Sequence, residues 1–116
     1  MRKKDSDEYK SKVKPRTIFD KPEIVDMLGT ALTLRWKPSS IPPYAVQTRI
    51  WYIVEQRIPP DTEWTKIATD LCDTEMRIKY SAANDYYFRV RAANEFGIAE
   101  PSMPVMLRKK EGMFRC

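Results

Sequence analysis

The side chains that usually carry chemistry are sparse in this chain. There is no histidine, which removes Ser/His/Asp and Cys/His nucleophilic arrangements and the commonest zinc ligand. Of the two cysteines, Cys72 lies mid-chain and Cys116 is the last residue, beyond a Lys/Arg-rich stretch. That spacing suits neither a thiolate metal site nor the disulfide framework of a small secreted domain. Three glycines, none at phosphate-loop or dinucleotide spacing, leave no cradle for a nucleotide. Carboxylates pair at Asp70/Asp73 and Asp61/Glu63. Acid–base work would need a cleft and shifted pKa values around them, and both pairs fall in expected turns. The expectation is no enzyme, no cofactor and no metal.

What remains is the chemistry of contact. Tyr87, Arg89 and Arg91 alternate along one stretch and would share one face of a strand. A basic row with an aromatic is the outline of a nucleic-acid stripe. It is also what an exposed sheet face carrying cross-strand charge pairs looks like, and this second reading is adopted, with no nucleic-acid partner. Trp51 is either an exposed aromatic of the kind that anchors interfaces or a ring packed by its flanking side chains or a neighbouring module. Trp51, Tyr87, Arg89 and Arg91 are the candidate protein contacts. The loop 39–43 (SSIPP) is a further candidate surface, and Arg-Gly-Asp is absent.

The elements that must position these residues are read from charge and period. The 116 residues suit one domain. The net charge of +5 is uneven: residues 1–16 hold +4 and residues 108–116 hold +3, leaving −2 for 17–107. The basic character therefore belongs to the ends. Such tails can touch acidic filaments, phospholipid or nucleic acid, but residues 1–16 lack periodicity and read as a charged linker or disordered arm. No hydrophobic run follows Met1, no apolar run approaches a membrane span, and no Asn-x-Ser/Thr sequon occurs. A lone domain with charged ends and a terminal Cys116 reads as a piece of a larger protein.

Between the tails the period is two. In 30–38 (TALTLRWKP), Leu32, Leu34 and Trp36 face one way and Thr33, Arg35 and Lys37 the other. In 49–56 (RIWYIVEQ), Ile50, Tyr52 and Val54 share a face, while Trp51 and Ile53 give the opposite face apolar character too. A short strand is expected at 64–68. In 74–80, Met76, Ile78 and Tyr80 point inward, and 86–92 (YYFRVRA) puts Tyr86, Phe88, Val90 and Ala92 inward. Short strands near 23–25 and over 104–107 complete the set, with turns at 59–61 and 94–97. About seven strands and no amphipathic helix predict an all-β, immunoglobulin-like antiparallel sandwich of two sheets.

Five of these phrases, in order, resemble a fibronectin type III domain. They are Leu32-x-Leu34-x-Trp36, the run YIVE at 52–55, Trp64 followed by Lys66-Ile67, the run YYFRVRAANEFG at 86–97, and AEPS at 99–102. The resemblance covers about residues 21–109, and the domain is bounded at 17–109, with a tail at 110–116. It places Tyr86 at the family's tyrosine corner, whose hydroxyl bonds back to nearby backbone. It implies a core of Leu34, Trp36, Tyr52, Val54, Tyr86, Phe88 and Val90. The family's Leu-x-Pro before the corner is missing, and Tyr80 stands where the leucine would be. Asn94 and Gly97 suit a tight turn, Gly97 accommodating positive φ.

YIVEQR at 52–57 with Trp64-Thr65-Lys66, and FRVRAAN at 88–94 with GIAEPS at 97–102, are similar to the domains of the giant muscle proteins: titin, twitchin, projectin and the myosin-binding protein C group. The resemblance implies a non-catalytic structural and protein-binding module of a larger cytoplasmic muscle or cytoskeletal protein. Its partners would be neighbouring immunoglobulin or fibronectin modules, or myosin or actin filaments. The alternative is an extracellular module of a cell-surface adhesion or cytokine-type receptor.

Overall fold

A computed structural model describes residues 10–110. Every regular element is a strand, in the order β1 (Glu23–Leu28), β2 (Ala31–Arg35), β3 (Trp51–Arg57), β4 (Thr65–Leu71), β5 (Glu75–Lys79), β6 (Tyr86–Asn94), β7 (Gly97–Ile98) and β8 (Val105–Leu107). One sheet has three strands in the order β1-β2-β5. The other has five, β4-β3-β6-β7, with β8 also on β6. All strand pairs are antiparallel. Eight elements occupy seven strand positions, because β7 and β8 lie in succession along the same edge of β6. Between them the chain stays tethered: the Ala99 amide donates to Ala92 O and the Ser102 amide to Val90 O, each at 2.8 Å. Pro101 and Pro104 have no amide to donate, and the ladder breaks there.

The strands follow from the alternation. Leu32 and Leu34 of β2, Val54 of β3, and Phe88, Val90 and Ala92 of β6 are completely buried. Trp36, Tyr52 and Tyr86 join the same cluster between the sheets. Trp36 meets Tyr52 edge-on, with ring centroids 5.8 Å apart. Phe88 stacks on Tyr86 at 5.7 Å. The Ser39 amide donates to Tyr52 Oη at 3.0 Å and anchors the Pro-rich loop to the core.

Turn residues set the connections. β1 and β2 form a hairpin in which Leu28 pairs with Ala31 across Gly29 and Thr30. Gly29 has φ 64°, a left-handed conformation that glycine adopts without penalty. The register slips between Val25 and Leu28, where Asp26 takes φ 50°. Asp is among the few side-chain-bearing residues that visit this region routinely, and the bulge blunts an edge strand.

Three features differ from the sequence reading. Asp70, expected in a turn, lies within β4, which runs on to Leu71 and does not stop at Ala68. The 94–97 stretch is shorter as a turn, because Asn94 still belongs to β6 and Gly97 opens β7. The third is larger. Residues 10–16, expected within the charged arm, are hydrogen-bonded to the body. Ser11 bridges Ala45 in parallel, and the Val46 amide donates to Ser11 O at 2.8 Å. Asn94 Nδ2 donates to Val13 O at 2.8 Å. The Arg16 amide donates to Ser40 O at 3.0 Å, and Ser39 Oγ donates to Arg16 O. Pro15 and Ile18 are buried. Backbone bonds and two buried apolar side chains outweigh the composition that suggested disorder.

Candidate protein-contact surface

The outer face of the five-stranded sheet carries all four contact candidates. Register puts Trp51 opposite Ala93, Ile53 opposite Arg91, Glu55 opposite Arg89 and Arg57 opposite Tyr87. The strand period therefore assembles a strip of aromatics and charges, as the alternation of Tyr87, Arg89 and Arg91 implied.

Within that strip the cations already have partners. Arg89 Nε lies 2.6 Å from Glu55 Oε1, with the two side chains only 21% and 6% exposed. The same guanidinium sits 4.1 Å over the Trp64 ring. Arg57 lies between two rings, 5.6 Å from the centroid of Trp64 and 4.5 Å from that of Tyr87, and its Nη1 donates to Asp61 O at 3.0 Å. Arg91 Nε donates to Ala99 O at 2.9 Å. Trp51, half-buried, is covered by Arg49 at 4.9 Å. Charged groups stacked on ring faces and bonded at an edge are held in place. The strip presents the flanks of Trp51, Tyr87 and Trp64.

Sequence reasoning missed Trp64, Arg57 and Glu55 as members of this strip. The signal was present: Glu55 and Arg57 alternate on β3 just as Arg89 and Arg91 do on β6. The register that joins them is a property of strand pairing, which no local pattern states.

Elsewhere the chemical candidates stay apart. Asp61, Glu63, Asp70 and Asp73 are exposed. None of them lines the cleft bounded by Asp20, Lys21, Glu23, Arg35, Trp36 and Lys37. Among the described residues, no group of three or more His, Cys, Asp and Glu is placed to hold a metal. Cys72 is exposed, with Arg49 Nη1 3.2 Å from its Sγ; Cys116 lies outside the described residues. Also among the described residues, no helix is long and apolar enough to cross a membrane.

Tyr86 makes the corner. The Ser81 amide donates to Tyr86 Oη at 2.8 Å, although the stretch before it lacks the proline. Tyr80 packs edge-on against Tyr86, with centroids 6.4 Å apart. One aromatic thus supplies the bulk that the family draws from leucine.

No protein-family model matches the chain. Among curated proteins it is 37% identical over 94 residues to chicken smooth-muscle myosin light chain kinase, covering 74% of this chain and 5% of that protein. It is 32% identical over 88 residues to the zebrafish striated muscle preferentially expressed protein kinase, covering 74% of this chain and 3% of that one. The chain therefore spans only 3–5% of the length of these relatives. Among solved structures it superposes on the kinase region of Caenorhabditis elegans twitchin with a TM-score of 0.63 at 27% identity, covering 84% of this chain and 17% of that one. A human fibronectin type III domain gives a TM-score of 0.63 at 19% identity, covering 78% of this chain and 72% of that one.

Proposed function

This chain is a fibronectin type III domain resembling those of the giant muscle proteins, and from that premise we propose that it is a non-catalytic structural and protein-binding module of a larger cytoplasmic protein of the sarcomere or cytoskeleton. The observation that carries the reading is the path of the chain through the sandwich. The described chain begins at one pole, where Val13 meets Asn94 and Ser11 meets Ala45. It leaves at the other, where the Lys110 amide donates to Ala82 O at 2.9 Å. A domain threaded from pole to pole sits in series with whatever adjoins it. Tension along that axis loads the β6–β8 ladder in shear, so that its backbone bonds bear the force together.

Protein contact through the outer face of the five-stranded sheet, by Trp51, Tyr87, Arg89 and Arg91, belongs to the same proposal. Flat faces rich in Trp, Tyr and Arg are the composition that interface centres favour. Co-sedimentation of the domain with myosin and with actin filaments tests the contact half. The Trp51→Ala variant is expected to pellet less than the parent. Pelleting with neither filament leaves the spacer role alone. Single-molecule extension of a tandem array tests that role, and unfolding without a resolved force peak would overturn it.

A further inference from the structure

The excess positive charge of the N-terminal region is more local than its composition shows. Residues 1–9 hold Arg2, Lys3 and Lys4 against Asp5, Asp7 and Glu8, and cancel. The whole +4 therefore lies in residues 10–16, which read K-S-K-V-K-P-R and contain no carboxylate. This is the segment strapped to the body. Its burial alternates: Lys12, Lys14 and Arg16 are exposed, Val13 is half-buried and Pro15 is buried. Backbone bonds at Ser11, Val13 and Arg16 hold the strap at three points. Lys14 lies close over Gly97, where an added Cβ would stand 3.3 Å from Lys14 Cβ.

We propose that this strap is a preformed cationic ridge that docks an extended acidic protein segment. Alternate residues of an extended chain repeat at about 6.7 Å, so carboxylates at every second position of a partner can face Lys12, Lys14 and Arg16 in register. The strap is already ordered, so binding does not carry the entropy of ordering it. Two rival partners fit less well. Single-stranded nucleic acid needs aromatics among the cations for stacking, and the positions between them are Ser11, Val13 and Pro15. A lipid surface needs apolar side chains projecting with the cations, and here Val13 and Pro15 turn inward. Phe19, 90% exposed, follows the ridge, so a vesicle arm belongs in the test. The ridge deepens the protein-binding half of the function proposed above and rests on it.

The probe is a fluorescein-labelled peptide of Glu-Ser repeats long enough to span residues 10–16, titrated with the whole chain at low salt and read by anisotropy. The expected result is binding that K12E/K14E weakens by about tenfold or more, three exposed ion pairs being small individually and opposed charges adding to the loss. A control reversal at K66E/K79E, on β4 and β5, changes affinity by less than about twofold. Thermal melts establish that each variant is folded. Should K12E/K14E melt early, K12A/K14A serves, with a shallower fall of affinity with salt than the parent shows. No binding, equal weakening by the control, or tighter binding to phosphatidylserine vesicles or to a single-stranded oligonucleotide would each overturn the proposal. Filament pelleting by the parent chain together with no binding of the peptide by that same chain sinks the ridge and leaves the module reading standing.

Discussion

Asn94 ties together three stretches of chain that are distant in sequence. Its Nδ2 donates to Val13 O and, at 3.0 Å, to Thr48 Oγ1, and its Oδ1 accepts from the Phe96 amide at 2.9 Å. The side chain is buried and its three partners are half-buried, so its loss leaves them only partly open to water. Asn94→Ala is expected to cost about 1–3 kcal/mol, measured by urea unfolding, and to raise amide exchange at Phe96. Tyr86→Phe removes only the acceptor for the Ser81 amide. It should cost about 1 kcal/mol, which in a domain of this size lowers the melting temperature by about 4–8 °C. Trp36 works differently. Its Nε1 is buried and has no hydrogen-bond partner among the described residues, and the ring contributes by volume and by its edge on Tyr52. Trp36→Ala is expected to cost about 3–5 kcal/mol, read in the same unfolding experiment. The importance of Trp36 and Tyr86 was legible from their place in alternating runs. Asn94 read only as a turn residue, because its main partner, Val13, lies 81 positions away.

At the scale of the elements, β3 and β6 form the rigid centre of the larger sheet. Both bury one face in the core and cover the other with their own side chains. Arg89 and Glu55 illustrate how. Their pairing is nearly dry, and in such a place removing one partner costs more than removing both. Glu55→Ala is therefore expected to destabilise by about 3 kcal/mol, whereas E55M/R89M returns to within about 1 kcal/mol of the parent. A double-mutant cycle by thermal or urea unfolding measures this. Additive single effects would show that the pair is screened by water after all. The strands themselves were legible, since 30–38, 49–56, 74–80 and 86–92 each overlap an observed strand. β7 was not legible: two residues are too short a run to show a period, and only pairing with Ala93 and Asn94 defines it.

At the scale of the whole molecule, the strap at residues 10–16 is bonded to the body at Ser11, Val13 and Arg16. A chain starting at Thr17 loses the backbone bonds at Ser11, Val13 and Arg16. It is expected to be less stable by about 2 kcal/mol, with faster exchange at the Val46 amide; unchanged stability would make the strap a passenger. Composition marked this segment as a linker, yet K-S-K-V-K-P-R alternates like the strands do, with small and apolar residues between cations. The sandwich was determined by the sequence alone, because period-two alternation requires half-buried strands and their inward residues must meet in one core. Only the tertiary structure decided that, in the basic-aromatic row on β6, Arg89 pairs with Glu55 across the sheet while Arg91 is held by a backbone carbonyl. It alone brought residues 10–16 into hydrogen-bond contact with the body. Both depend on which distant backbone or side-chain groups come within hydrogen-bonding reach, and that is set by register and packing, to which a local pattern is blind.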